Sequence, residues 1–126
     1  MGIFNSIFGK GSDGETSTFP WVPLEDIAQL DAIENESETQ TVAIFKHSVR
    51  CGISAMVKRG FENEENSNVD VKLYYLDLIN YRPISNEIAE RFGVVHESPQ
   101  LIVLKNKEVI TTASHGAINE VDLASL

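Results

Sequence analysis

The chain has 126 residues, 42% hydrophobic and 23% charged, the balance of one ordinary globular domain able to bury a core without staples. Ten Lys and Arg against nineteen Asp and Glu leave a net charge of −9, which counts against nucleic-acid binding by phosphate neutralisation. No apolar run approaches the ~20 residues that span a bilayer, no signal-peptide pattern is visible, and a lone cysteine, Cys51, excludes an internal disulfide and a Cys-rich zinc site, so the expected compartment is the cytoplasm.

Residues 1–18 read as a flexible N-terminal segment ahead of a domain over 19–126. Gly, Ser and Thr dominate positions 9–18, as in linkers. Before them, Ile3, Phe4, Ile7 and Phe8 would share one face of a short helix, and the opening Met-Gly-Ile-Phe-Asn-Ser fits a myristoylation pattern that also arises by chance. Leu24, Ile27, Leu30 and Ile33 recur at helical spacing and predict an amphipathic helix over 24–35. The apolar run 41–45 predicts a strand buried on both faces. A helix over 52–62 follows, with Ile53, Met56, Val57 and Phe61 inward, and then a polar loop over 63–68. A second strand is expected at 71–76. Pro83 opens a helix through Phe92 that Gly93 closes. Segments 101–104 and 108–113 flank Lys105-Asn106-Lys107 as a hairpin. Asn119 is expected to cap a last short helix offering Val121 and Leu123 to the core. This alternation predicts an α/β fold: a central mixed sheet, helices on both faces, and parallel strands at 41–45 and 71–76.

Charge is unevenly spread. Residues 39–61 hold Lys46, Arg50, Lys58 and Arg59 and no acid, so a positive island in an acidic chain surrounds Cys51. Such a run can be a plain solvated face, but cations beside a thiol also stabilise its thiolate. Cys51 begins a helix as Cys51-Gly52-Ile53-Ser54, where free amides and the positive end of the helix dipole favour a thiolate. Arg50, Gly52 and Ser54 are the candidates for stabilising it. Ser54 takes the place of the second cysteine in Cys-x-x-Cys, so it cannot close a disulfide and the chemistry is expected to be monothiol. The bland alternative is an inert, buried cysteine. The element order, with a cysteine just past the first central strand, is similar to thioredoxin. That likeness implies a cis Ser98–Pro99 bond facing the cysteine, with Ser98 offering backbone groups to a substrate.

Five separated segments then carry a closer resemblance. They are Ile44-Phe45-Lys46-His47-Ser48, Cys51-Gly52-Ile53-Ser54, residues 82–93 (RPISNEIAERFG), His96-Glu97-Ser98-Pro99-Gln100 and Ser114-His115-Gly116. In this order, over residues 21–126, they resemble the monothiol bacilliredoxins, YtxJ-type members of the thioredoxin superfamily. The resemblance implies removal of bacillithiol from proteins capped under oxidative stress. Cys51 would attack the mixed disulfide, free the client thiol and carry bacillithiol until a second thiol or a recycling reductase clears it. Lys46, His47, Ser98, Pro99, His115 and Gly116 would then contact the anionic co-substrate, with no permanent cofactor and no metal. His47 and His115 could equally tune the thiol or cap a strand. One departure is Gly52, where the family commonly has proline. Cys-Gly-Ile-Ser is one residue from the Cys-Gly-Phe-Ser of monothiol glutaredoxins, which use glutathione and can share a [2Fe–2S] cluster. An iron–sulfur carrier and a non-catalytic adaptor are therefore the alternative readings. Removing residues 1–18 should leave the urea midpoint and soluble thiol reactivity nearly unchanged, and loss of cooperative unfolding would show that the terminal Ile and Phe residues are packed.

Overall fold

The computed structural model describes residues 19–126; the linker, short helix and lipidation expected within residues 1–18 lie outside the described residues. Strand β1 is Trp21–Pro23, followed by helix α1 at Ala28–Glu36, strand β2 at Thr41–His47 and helix α2 at Gly52–Phe61. A short helix α3, Glu64–Ser67, precedes strand β3, Val71–Asp77, and helix α4, Arg82–Phe92. Strands β4, Gln100–Lys105, and β5, Glu108–Ser114, lead into two 3-10 turns, His115–Glu120 and Leu123–Ser125.

The strands form one sheet in the order β1-β3-β2-β4-β5. Strands β1 and β2 both run parallel to β3, whereas β4 is antiparallel to β2 and β5 to β4. The sheet is therefore mixed and the fold α/β, as the alternation of elements predicts. Residues of β2 point alternately to the two faces. Val42 and Ile44 join Leu30, Ile33, Ile84 and Ile88 in a core under α1 and α4. Ala43 and Phe45 join Val57, Phe61, Ile118 and Leu123 in a second core on the α2 side. Around Phe45 an aromatic cluster closes the second core, with Trp21 and Phe61 centroids at 5.6 and 5.3 Å from it. Such pairs add ~0.5–1.5 kcal/mol each beyond their buried area.

Several local expectations change in the fold. The predicted helix over 24–35 begins only at Ala28, because Trp21–Pro23 is an edge strand and the Leu24 N–H bonds Tyr75 O at 2.8 Å. Leu24 is still core, but Ile27 is exposed. The polar stretch 63–68 contains α3, started by Asn63, whose side chain accepts from the Asn66 N–H at 2.7 Å. In α2 the buried positions are Ser54, Val57 and Phe61, while Ile53 and Met56 are each 59% exposed. Asn119 sits inside a 3-10 turn rather than before a helix, with its amide 3.4 Å from Val57 O. Two boundaries hold closely. Gly93 closes α4 at φ +65°, and Asn106-Lys107 turn the hairpin with φ values of 55° and 66°. Successive positive φ values are the mark of the tight turn that suits the strand twist.

On the Val42–Ile44 face of β2, Lys46 is the one polar residue. It is fully buried, with its Nζ near Ser85 O of α4 and no carboxylate paired to it among the described residues. Burial alone lowers its ammonium from 10.5 to about 8. In the unfolded chain the group keeps its ordinary value, so between about 8 and 10.5 the folded state loses this proton first and stability rises with pH. Below about 8 both states hold the proton and the full cost of burying a cation is felt. From pH 7 to 9.5 this group should add about 2 kcal/mol to unfolding stability. Urea titrations at the two pH values should show that gain in the native chain. Lys46→Met should be the more stable protein at pH 7, as apolar replacement of a buried charge often is, and should lack the increment.

Candidate active site

A strand that ends buried must turn at the surface before a helix can pack back over it. Here β2 ends at His47, and Ser48 to Arg50 make that turn, closed by the Cys51 N–H bonding Ser48 O at 3.1 Å. Cys51 is the N-cap of α2, with extended backbone angles, and its carbonyl accepts the first helical bond from the Ala55 N–H at 3.0 Å. The amides of Gly52, Ile53 and Ser54 consequently have no partner within the helix. The thiol is half-buried and makes no capping hydrogen bond. A Cβ added at Gly52 would meet nothing within 4 Å, so the space over the helix start is open. A half-exposed thiolate at this position would be approached by amides and the positive helix end, which is the arrangement of a nucleophile in disulfide exchange.

Ser54 was assigned by sequence to the thiolate, and the structure gives its hydroxyl to other partners. Fully buried at the third helical position, it lies 2.7 Å from His47 Nδ1 and accepts from the Ser48 N–H at 3.2 Å. His47, expected to touch substrate, is itself buried under α2 and serves this internal contact. Burial lowers the imidazole below 6.5, helped by Lys58 and opposed by Asp77 and Glu62, which favours its neutral form. The pair ties the last residue of β2 to the first turn of α2 and thereby sets where Cys51 stands.

The antiparallel pairing of β2 with β4 brings a second segment to the same end of the sheet. Lys46 is in register with Gln100, so the residues just before Gln100 lie beyond the end of β2, beside the Cys51 turn. The Ser98–Pro99 bond is cis, as the thioredoxin likeness implies. Pro99 is buried, and Ser98 Oγ is a buried polar atom without a hydrogen-bond partner. Strand β5 returns to this end through the Gln100–Ser114 pair, and the His115 N–H bonds Pro99 O at 3.1 Å. His115 is exposed and held at φ +56°, a left-handed conformation unusual for a histidine, with its Nδ1 3.6 Å from Glu97 Oε1. Gly116 is exposed with room for a Cβ, so no close approach of other atoms demands glycine there. Ser98, Pro99, His115 and Gly116 thus share one edge at the end of the sheet that carries Cys51.

The positive island read from the sequence is divided by the fold. Lys46 points to the opposite side of the sheet from α2 and is fully buried there, with its Nζ near Ser85 O. Lys58 pairs with Glu62 and lies over the Trp21 and Tyr75 rings, at 5.7 and 5.1 Å from their centroids. Arg50 and Arg59 are exposed, and only Arg50 adjoins the thiol in sequence. In place of a basic ring, the large exposed side chains near Cys51 along the chain are apolar, Val49 and Ile53, with Met56 a turn further along α2. Sequence reasoning placed the last two in the core because helical spacing alone does not say which stripe of a short helix faces in. It also gave no role to His96, whose Nδ1 is 3.3 Å from Lys46 Nζ. His96 is exposed, but its Nδ1 edge lies against Lys46 and Ser85, and that local desolvation lowers it below 6.5, with Lys46 and Arg82 adding to the effect and Glu97 opposing it.

Among the described residues no group of three or more His, Cys, Asp and Glu is gathered as a metal site, and no helix is long and apolar enough to cross a membrane. Likeness to solved structures follows the architecture. One of thioredoxin fold, whose description proposes oxidoreductase activity, is 33% identical with a TM-score of 0.71, covering 79% of this chain and 87% of that one. Thioredoxins from Schistosoma mansoni and Nicotiana alata match in fold at 17% and 18% identity, with TM-scores of 0.64 and 0.65. They cover 83% and 87% of this chain and 92% and 91% of their own. The family profile described as monothiol bacilliredoxin BrxC matches residues 22–123. That span holds Cys51, the cis Ser98–Pro99 bond and the Ser114-His115-Gly116 turn, and on it the chain belongs to the monothiol bacilliredoxin family, a thiol redox family of thioredoxin fold.

Proposed function

We propose that the protein is a monothiol thiol–disulfide oxidoreductase of the cytoplasm that removes bacillithiol, or a similar small anionic thiol, from client proteins under oxidative stress. The observation that carries this reading is the place of Cys51: the chain's one thiol, half-exposed at the N-cap of α2, with open space over Gly52. The Cys51 thiolate attacks the bacillithiol sulfur of the mixed disulfide. The client–bacillithiol S–S bond breaks, the client sulfur leaves as a thiolate, and a Cys51–bacillithiol disulfide forms. A second thiol or a recycling reductase then supplies the two electrons that restore Cys51. With no cysteine at position 54, no internal disulfide competes with that step.

On this reading the substrate disulfide lies between Cys51 and the edge made by Ser98, Pro99, His115 and Gly116. Exposed Val49, Ile53 and Met56 would meet the client chain. Arg50, exposed beside Cys51 in sequence, would face a carboxylate of the small thiol and stabilise negative charge developing at that edge. Intact-mass analysis after incubation with oxidised bacillithiol should show one adduct on the native chain and none on Cys51→Ser. A parallel arm with oxidised glutathione separates the two co-substrates. Residual turnover of a capped peptide by Cys51→Ser would overturn the mechanism. Arg50→Glu should slow iodoacetamide alkylation roughly threefold to tenfold at low ionic strength, with the effect shrinking in high salt. Alkylation that ignores both the charge reversal and the salt would place Arg50 outside the site.

A further inference from the structure

Among the described residues Lys46 is the only buried lysine or arginine, and a methionine would fill much the same space without desolvating a cation. What the ammonium adds is a set of hydrogen-bond donors. Its Nζ lies 3.4 Å from Ser85 O and 3.3 Å from His96 Nδ1, and Ser85 Oγ approaches the same ring nitrogen at 3.3 Å. Gln100, the partner of Lys46 across β2 and β4, secures the neighbouring backbone. Its Nε2 donates to Val95 O at 2.9 Å, and its Oε1 accepts from the Glu97 N–H at 3.4 Å. The segment 95–97 thus hangs from two side chains adjacent on the central strands. It continues directly into Ser98–Pro99.

We propose that Lys46 is a positioning residue: through His96 it holds the 95–99 segment at the edge of the exchange site, and a proton on His96 Nδ1 releases that segment. The catalytic consequence rests on the exchange function proposed above, whereas the anchor rests on the hydrogen-bond network alone. A neutral imidazole protonated on Nε2 offers Nδ1 as an acceptor to the ammonium. The imidazolium carries N–H on both nitrogens and turns that acceptor into a like charge. The charged groups around His96 are Lys46 from β2, Arg82 from α4 and Glu97 beside it. Glu97 also faces His115 at 3.6 Å. Local desolvation of the Nδ1 edge and the two cations oppose protonation of His96 and Glu97 favours it, so release belongs to the acid side of 6.5.

The test measures KM and kcat for a bacillithiol-capped peptide from pH 5 to 8, alongside amide hydrogen exchange of residues 94–98. Lys46→Met should raise KM about tenfold at pH 7, the scale expected when a substrate-contacting edge is misplaced, while iodoacetamide alkylation of Cys51 stays unchanged. In the native chain KM should climb and the amides lose protection toward the acid end of that range. His96→Asn supplies an oxygen acceptor near the position of Nδ1 but cannot titrate. It should keep the native KM at pH 7 and hold it flat to pH 5, whereas His96→Leu should match Lys46→Met. An acid limb that survives in His96→Asn, or amides protected equally in Lys46→Met and the native chain, would overturn the anchor. Absence of turnover by the native chain would overturn the exchange function, and amide protection would still decide the anchor.

Discussion

Complete burial of one strand organises this protein. All seven residues of β2 are withdrawn from water, so its backbone must be paired along both edges and its side chains packed on both faces. Strand β3 meets the first need on one side and β4 on the other. The two hydrophobic cores meet the second, with α1 and α4 against Ile44 and α2 against Phe45. Because β3 runs parallel and β4 antiparallel to β2, the end of β2, the end of β3 and the start of β4 coincide. The thiol turn and the cis-proline edge meet there as a result of strand pairing, although Cys51 and Ser98 are 47 positions apart in sequence.

That end of the sheet is also where the core becomes polar. Two consecutive residues of β2, Lys46 and His47, project to opposite faces and each finds a side-chain partner on a helix or loop. His47 fastens the first turn of α2 through Ser54, and Lys46 fastens the segment before Pro99 through His96. Buried polar groups are costly when unpaired and restrictive when paired. The cost here is concentrated where Cys51 and the cis-proline edge have to be held in register. An apolar residue at position 46 would favour stability and remove a donor from the loop, a trade of stability against placement found often in functional sites.

Much of the fold was legible in the residues. The unbroken apolar run at 41–45 marked a central strand, Pro83 and Gly93 bracketed α4, and Lys105-Asn106-Lys107 marked the hairpin. These signals are local, carried by side chains that restrict their own backbone. Strand β1 escaped notice because three residues ending in proline show no alternation. The inward face of α2 was misjudged because Ile53, Met56, Val57 and Phe61 form a broad apolar stripe of which only part is covered. The missing information was which neighbour covers the helix.

The same division holds for the site. Sequence by itself determined that the chain has one thiol, that this thiol opens a helix after a buried strand, and that position 54 cannot resolve a disulfide. These follow from residue identity and from spacing along a single element. Only the tertiary structure decided that Lys46 faces away from the thiol, that Ser54 belongs to His47, and that His96 is the partner of a buried ammonium. The reason is the two-residue period of a strand. Neighbours in sequence point to opposite faces, so charges adjacent on the chain as one positive island are separated by the sheet, and residues 50 positions apart become a hydrogen-bonded pair.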